Sequence, residues 1–173
     1  ESGGHNGREE TTTLVLIPLV RNTVKIPVIA AGGIATGRQM FASMVLGASG
    51  VQVGSRFVAS NEASAHLNFK EKIIGLGEGD TMLSLKQLTP VRLIKNSFFE
   101  EIKKAEENCA SIEELTTILG RARAKKGMFE GDLQNGELEI GQVSAIINEI
   151  KPAAEIVKEI WTEFQLTQNN PLI

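Results

Sequence analysis

Residues 25–55 read KIPVIAAGGIATGRQMFASMVLGASGVQVGS, and this stretch decides the fold class. Lys25–Ala31 is a continuous apolar run, as found in strands that are buried on both faces of a parallel sheet. The run stops at a glycine pair, after which Thr36 is placed to cap a helix that ends near Leu46. Gly50–Val53 is the next strand. This order of strand, glycine turn, helix and strand predicts a βαβ unit with parallel strands, and therefore an α/β fold.

Similar patterns predict the elements on either side of this unit. Thr11–Thr13 is expected to start a helix, which implies a further strand before Glu1. A helix over Glu62–Ile74 and a last strand over Thr81–Leu85 follow, so the sequence predicts at most three strands. After Pro90 we expect helices separated by polar loops. These are helices over Ser97–Glu107 and Ser111–Arg123 (the second opened by a capping box with Glu114), a loop over Lys126–Glu139, helices over Val143–Ile150 and Ala153–Phe164, and a frayed tail over Gln165–Ile173.

Bulk composition limits the classes of function. The chain has 173 residues, 42% hydrophobic and 23% charged, with a net charge of −3 at pH 7. This composition fits one globular domain or part of one, and it gives no strong field that would attract nucleic acid or a membrane surface. The apolar runs are shorter than the about 20 residues of a membrane helix, so a soluble protein is expected. The chain starts without Met and without a signal-peptide pattern, so we expect that a segment precedes it.

Cysteine usage points to a compartment. Cys109 is the single cysteine, and no Cys/His spacing suggests a metal site. A reducing, cytoplasmic location is therefore expected.

The first candidate motif is Ser2–Gly7, which reads SGGHNG. Paired glycines such as Gly3 and Gly4 let the backbone approach a flat cofactor or a phosphate, and His5 would lie at the mouth of that site. The alternative is a flexible terminus with an incidental histidine.

Two glycine turns form the second motif. Gly32–Gly33 and Gly54–Ser55 each follow a predicted strand, where backbone amides face an anion with help from the positive end of the next helix. Phosphate sites recur at such turns after late strands of parallel barrels. Each turn alone is equally well explained as a tight connection, but their repetition favours a phosphate site.

Together these motifs resemble nitronate monooxygenases and FMN-dependent enoyl-acyl-carrier-protein reductases. The matching stretches, in the family's order, are Ser2–Gly7, Pro27–Ile34, Gly47–Phe57, Glu62–His66, Asp80–Ser84, Arg92–Asn96, Gly131–Asp132 and Gly141–Gln142. Ser2 replaces the family's usual Ala and Ser55 its usual Thr, and both changes keep a small side chain. The family's N-terminal half, with the first strands and part of the flavin pocket, has no counterpart in this sequence.

The resemblance implies the C-terminal part of a (β/α)8 TIM-type barrel with a helical C-terminal extension. Residues 1–90 would form a partial FMN-binding barrel, residues 91–150 a helical and loop segment that covers the site, and residues 151–173 a C-terminal helix and tail. His5 would be the catalytic histidine beside the flavin, and no metal is implied. The residues implied to bind FMN, largely through backbone amides, are Gly3, Gly4, Gly32, Gly33, Gln52, Val53, Gly54 and Ser55.

Two reactions are compatible with this resemblance. A reductase would use NAD(P)H as co-substrate to reduce enoyl thioesters, with His5 orienting the thioester carbonyl or relaying a proton. A nitronate monooxygenase would oxidise alkyl nitronates with O2, with His5 as base. Residues 65–73 and 137–142 look more like the reductase branch, which favours the first reaction. A third hypothesis is an inactive fragment that needs its N-terminal half.

The expected partners follow from these hypotheses. They are a small-molecule or acyl-thioester substrate and, for a reductase, an acyl carrier protein; no nucleic acid or membrane partner is expected, and a homodimer is compatible. The basic run Arg121, Arg123, Lys125 and Lys126 would suit an acidic carrier protein or nucleotide phosphates, but a solvated helix end also explains it. For His66 a capping or surface role is expected rather than catalysis.

Overall fold

A computed structural model describes residues 3–7 and 11–170 of the chain. The helices are α1 (Thr13–Thr23), α2 (Gly37–Val45), α3 (Ser55–Val58), α4 (Leu67–Ile74), α5 (Ser97–Glu107), α6 (Ile112–Leu119) and α7 (Ala153–Asn169). The strands are β1 (Ile29–Ala31), β2 (Gly50–Gln52), β3 (Thr81–Ser84) and β4 (Val91–Ile94). This mixture confirms the α/β class. No helix in these ranges combines the length and hydropathy that crossing a bilayer requires.

The predicted βαβ unit is confirmed. β1 and β2 pair in parallel, with Ala30 opposite Val51, and α2 connects them. The α2 helix begins at the predicted cap, where the Thr36 side chain accepts the Gln39 N–H in a capping box. Gly47, at φ +106°, then turns the chain toward β2.

β1 is shorter and more exposed than the sequence predicts. Only Ile29–Ala31 is a strand; Ala30 is 4% exposed and Ile29 is 57% exposed. The prediction of a strand over Lys25–Ala31 buried on both faces is therefore wrong for the described chain. An apolar run identifies side chains that are suited to burial. Burial of Ile29 also requires another segment to pack on it, and residues 3–7 and 11–170 do not provide one.

β4 is the largest departure from the sequence prediction. At most three strands were expected, with only helices and loops after Pro90, whereas Val91–Ile94 is a strand in which every residue is buried. It pairs antiparallel with β3, with Met82 opposite Leu93. Four buried residues give neither the alternation nor the length that identifies a strand from sequence.

The main core lies around β4 rather than around the parallel pair. Leu93 belongs to one buried cluster and its neighbour Ile94 to another, because successive side chains of a strand point to opposite faces. The first cluster also contains Leu85, Val91, Phe98, Phe99 and Ile102, and the second contains Phe69, Ile73, Leu138, Ile140 and Ile147. β4 is thus the central strand on which other segments are placed.

Two helices begin at their caps but differ in extent from the prediction. α4 begins at Leu67 rather than Glu62, and its N-cap His66 accepts the Asn68 N–H on Nδ1 at 3.2 Å, which confirms the capping role. α6 has the predicted capping box between Ser111 and Glu114. It ends at Leu119 instead of Arg123, because Gly120 at φ +63° leaves the helical conformation.

The last third of the chain differs in three places. Gln142–Ile146 is a short 3₁₀ helix, so the predicted helix over Val143–Ile150 is wrong. The loop predicted over Lys126–Glu139 contains a π-helical turn at Lys125–Phe129. α7 continues to Asn169, which contradicts a frayed tail from Gln165. The described residues do not include Ser2 or the end of that tail, Pro171–Ile173.

α7 packs against the start of α2 at Gly37. A Cβ on Gly37 would lie 2.2 Å from the Phe164 backbone nitrogen and 2.3 Å from the Ile160 carbonyl oxygen. The Glu163 carboxylate accepts the Gly37 N–H at 2.7 Å and lies 3.5 Å from the Arg38 guanidinium. Only glycine leaves room for this contact.

Candidate functional site

The predicted glycine motifs meet in one small cavity of about 150 Å³. It is lined by Gly3, Gly4, Ala31, Gly32, Gly33, Ile34, Gln52, Gly54, Ser55 and Val143. Each residue implied to bind the cofactor lines this cavity except Val53, which packs against the buried cluster around Ile17.

The parallel pairing of β1 and β2 brings the two turns together. Ala31 lies opposite Gln52, so both strands end at the same edge of the sheet and their turns begin side by side. Gly32 and Gly33 have φ values of +90° and +72°, in the left-handed region that favours glycine. The sequence therefore fixes the shape of the first turn.

Backbone amides are among the donors that this cavity offers. Within the part of the chain that the structure describes, the N–H groups of Gly33, Gly54 and Ser55 donate to no protein acceptor. A Cβ on Gly54 would find no atom within 4 Å, so the second turn borders open space. Converging amides beside a small space are a recurrent way of binding phosphate, so the residues present fit such a group.

The N terminus of α2 does not contribute as the sequence predicted. The N–H groups of Ala35 and Thr36 donate to Gln39 Oε1 at 2.8 and 3.1 Å, and that of Gly37 donates to Glu163. A carboxylate from α7 thus occupies the positive end of this helix. An anion in the cavity would depend on the amides of the two turns.

Ser55 connects the cavity to the segment around Gly141. Its Oγ accepts the Gly141 N–H at 2.9 Å, and Val143 lines the cavity wall. Residues 141–143 therefore lie beside the glycine turns. That the whole of residues 91–150 covers the site stays a prediction.

His5 lies next to the cavity, with its backbone fixed and its ring exposed. The Arg92 N–H donates to the Gly4 carbonyl at 2.7 Å, and the Asn6 N–H donates to the Pro90 carbonyl at 3.1 Å. These two bonds form an isolated antiparallel β-bridge between His5 and Val91 of β4. Its side chain is 72% exposed and is not part of the cavity wall. The imidazole is thus accessible to a molecule bound beside the cavity.

Glu139 is a functional candidate that sequence reasoning missed. Its carboxylate pairs with Nδ1 of His5 although the two residues are far apart in sequence. Burial raises the pKa of the Glu139 carboxyl, and the charge and hydrogen bond of His5 partly offset this effect. Burial also raises the pKa of Glu137, and the charge of Glu139 adds to it. The signal in the sequence was the alternation of Glu137 and Glu139 with Leu138 and Ile140. Carboxyls within an apolar segment are often buried, and a buried carboxyl needs a hydrogen-bond or ionic partner.

Glu137→Gln is expected to stabilise the fold near neutral pH. Because the folded chain raises the pKa of Glu137 above its ordinary value of 4.5, the favourable contribution of this group is fully present below that value and is lost as the pH rises through the folded pKa. The neutral amide avoids that loss. Urea unfolding at about pH 7 should show a higher free energy of unfolding for the variant, and at about pH 3.5 the difference should vanish. A variant that is less stable at neutral pH would contradict this expectation.

Three residues of the basic run, Arg123, Lys125 and Lys126, are paired within the chain. Arg123 donates to the carbonyls of Ile118, Leu119 and Asn135, and its guanidinium lies 4.8 Å from the centre of the Phe98 ring. Lys125 and Lys126 form ion pairs with carboxylates at 3.2 and 3.0 Å. These contacts favour a structural role and give no specific support to docking of a carrier protein.

Comparison with known families and curated proteins gives a consistent result. The profile of the nitronate monooxygenase family matches residues 1–163. A probable nitronate monooxygenase of Staphylococcus saprophyticus is 33% identical over 177 residues, which cover 91% of this chain and 50% of that protein. A protein of the same description from Staphylococcus aureus strain Newman is 37% identical over 139 residues, which cover 73% and 39%. The chain spans half or less of the length of these curated relatives.

Solved structures show the same partial coverage. FabK from Thermotoga maritima is 41% identical with a TM-score of 0.89, and the match covers 98% of this chain and 53% of that one. A nitroalkane oxidase from Streptomyces ansochromogenes is 28% identical with a TM-score of 0.75, and the match covers 97% and 50%. Almost all of this chain therefore corresponds to about half of each longer protein.

Proposed function

Because the chain belongs to the nitronate monooxygenase family, we propose that it is the C-terminal, phosphate-binding part of an FMN-dependent (β/α)8-barrel oxidoreductase. One observation carries the proposal: the turns after two parallel strands share a cavity with Gly3 and Gly4. In it, amides of Gly33, Gly54 and Ser55 would hold the phosphate, and Gly3 and Gly4 would allow close approach of the flavin. FMN, when bound, supplies hydride and electron transfer.

Exposed apolar residues support a place within a larger barrel. Leu14, Ile29 and Val45 are 69%, 57% and 70% exposed. A TIM-type barrel needs eight strands, and the relatives are about twice as long as the region that matches. We propose that, in the complete protein, the part corresponding to their other half covers α1 and β1 and completes the flavin pocket. If that part is lacking, the chain is an inactive fragment.

Reduction of enoyl thioesters with NAD(P)H is the reaction that we favour. FabK, an enoyl-acyl-carrier-protein reductase, is more similar to this chain than the nitroalkane oxidase is, in both identity and TM-score. The exposed imidazole of His5 would orient the thioester carbonyl or relay a proton. Oxidation of alkyl nitronates with O2 is the second candidate, because the curated relatives are described as probable nitronate monooxygenases.

Substrate assays of the native gene product that carries this chain separate the two reactions. NADH and NADPH oxidation with crotonyl thioester measures the first reaction, and O2 consumption with propyl nitronate measures the second. We expect turnover of the thioester. Turnover of the nitronate alone would overturn the preference for the reductase, and a colourless protein without flavin would contradict the proposal as a whole.

Gly54→Ala is expected to weaken FMN binding by about tenfold or more without destabilising the flavin-free protein. The new Cβ meets no protein atom and Gly54 has a φ of −105°, so the fold tolerates it, but the methyl group takes space beside the cavity. Flavin absorbance after titration with FMN measures the affinity. Gly75→Ala is the matched control, since Gly75 has a φ of −97° and a Cβ there would make only ordinary contacts. Equal FMN affinity in both variants would remove Gly54 from the phosphate site.

A further inference from the structure

We infer that Glu139 is the positioning residue of His5: its carboxylate accepts the Nδ1–H of the imidazole, sets the orientation of the ring, and leaves Nε2 to meet the substrate. The inference deepens the proposed function, on which it rests for the identity of that substrate. The pairing itself is a property of this chain.

Backbone geometry brings the two residues together. The Arg92 N–H donates to the Gly4 carbonyl at 2.7 Å, and the Arg92 carbonyl accepts the Ile140 N–H at 3.1 Å. In a strand, the N–H and the carbonyl of one residue point to the same edge. Because Arg92 makes both bonds, the segments around His5 and Glu139 lie one after the other along the same edge of β4.

Strand register places both side chains on the same face. His5 lies opposite Val91 and Glu139 lies opposite Leu93. Cross-strand partners share a face, and Val91 and Leu93 are two residues apart in β4, so they share one as well. The backbone register therefore places the His5 and Glu139 side chains on one face, where they are in contact.

Gly4 provides the space that the carboxylate occupies. A Cβ on Gly4 would lie 3.0 Å from Oε1 and 3.4 Å from Cγ of Glu139. Any larger residue at this position would press on the carboxylate that contacts His5.

Burial distinguishes the roles of the two partners. The Glu139 side chain is 12% exposed and that of His5 is 72% exposed, so the carboxylate is held by the protein and the ring extends outward from it. Within residues 3–7 and 11–170, Glu137 interacts electrostatically with both partners and with Arg123. A carboxylate can only accept, so a neutral His5 bonded to it carries its proton on Nδ1 and has a free lone pair on Nε2. A hydrogen bond to a largely buried carboxylate is stronger than one in water.

The tautomer of His5 tests the inference directly, and the chain contains an internal reference. It has two histidines, and Nδ1 of His66 accepts the Asn68 N–H, so a neutral His66 carries its proton on Nε2. In the native gene product, labelled with ¹⁵N at histidine and prepared without flavin, the signals of the two rings are assigned by their loss in His5→Ala and His66→Ala. Their imidazole shifts at about pH 8.5 should then show opposite tautomers for His5 and His66. A predominantly Nε2-protonated His5 overturns the inference.

Substitutions of Glu139 test whether its carboxylate sets the tautomer of His5. Glu139→Met should shift His5 to the mixed tautomers of a free imidazole, and Glu139→Gln, which keeps a carbonyl acceptor, should shift it less. Glu137→Gln, two residues away, should leave the native tautomer. An unchanged His5 tautomer in Glu139→Met overturns the inference; if that variant does not fold, an unchanged tautomer in Glu139→Gln does so.

The steady-state parameters of the enzyme provide a second test, because a merely structural role of Glu139 would not lower kcat alone. In Glu139→Met, kcat should fall by a factor of about 10 to 100 with KM changed less than about threefold, and Glu139→Gln should recover part of the loss. Equal kcat in the native protein and both variants overturns a positioning role. The tautomer measurement uses no substrate, so a failure of the proposed reaction does not affect it.

Discussion

His5→Ala is expected to lower kcat of the native gene product by a factor of about 100 or more while FMN remains bound. The structure places the imidazole beside the cavity but outside its wall, so removing the ring leaves the amides of Gly33 and Gly54 in place. General acid–base catalysis by a positioned side chain typically contributes a factor of about 10² to 10⁴. Flavin absorbance of the purified variant and its steady-state rate measure the two parts of this expectation.

His66→Ala is the matched control for His5→Ala. His66 caps α4 and lies away from the cavity, so its removal should cost about 1 kcal/mol of stability and leave kcat unchanged. If His5→Ala turns over at the native rate, His5 has no part in the reaction. If His5→Ala instead loses its flavin, the ring belongs to the binding site.

Gly37→Ala is expected to reduce the free energy of unfolding by about 3 kcal/mol or more. Its Cβ would overlap backbone atoms of Ile160 and Phe164, which cannot move aside as a flexible side chain can. The helices α2 and α7 must separate, and the bond from the Gly37 N–H to Glu163 is then lost. Urea unfolding followed by circular dichroism measures the effect.

Two observations sharpen this test. Trp161 lies in α7 and stacks on Phe164 at 5.4 Å between ring centres, so its fluorescence should change when α7 leaves α2. Gly75→Ala, whose Cβ makes ordinary contacts, should unfold at nearly the native urea concentration. A native unfolding midpoint for Gly37→Ala would mean that α7 does not pack on α2 as described.

The sequence predicted correctly those features that depend on residues close to one another in the chain. The caps at Thr36 and Ser111 involve residues three positions apart, and the structure confirms both. The βαβ unit follows from a strand, a helix and a strand within residues 25–55. In each case the interacting groups are close in sequence, so their pattern is visible there.

The missed features depend on contacts between distant segments. Val91–Ile94 became a central strand because β3 and the segments around His5 and Glu139 all pair with it. No pattern within those four residues reveals three distant partners. The carboxylate of Glu163 at the start of α2 was missed for the same reason.

Val53 shows a different limit. The resemblance assigned the whole run from Gln52 to Ser55 to the cofactor, but neighbouring residues at the end of a strand point in opposite directions. Gln52 and Gly54 line the cavity, and Val53 packs into the core beside Ile17 and Ala30. The alternation along β2 accounts for the direction of the Val53 side chain, and a contact between the Val53 backbone and the cofactor stays a prediction.

If the cavity binds FMN as proposed, the hydrogen bonds of Arg92 would couple its occupation to the stability of a region that the flavin does not touch. One residue joins the glycines of the cavity wall to the segment beyond Leu138, since the Arg92 N–H donates to the Gly4 carbonyl and the Arg92 carbonyl accepts the Ile140 N–H. A ligand that orders Gly3 and Gly4 therefore favours the paired form of β4, and by mass action it raises the melting temperature of the hydrophobic core around that strand. Conversely, deletion of Gly3–Asn6 removes the acceptor of the Arg92 N–H on a buried strand and should loosen the core even without a ligand.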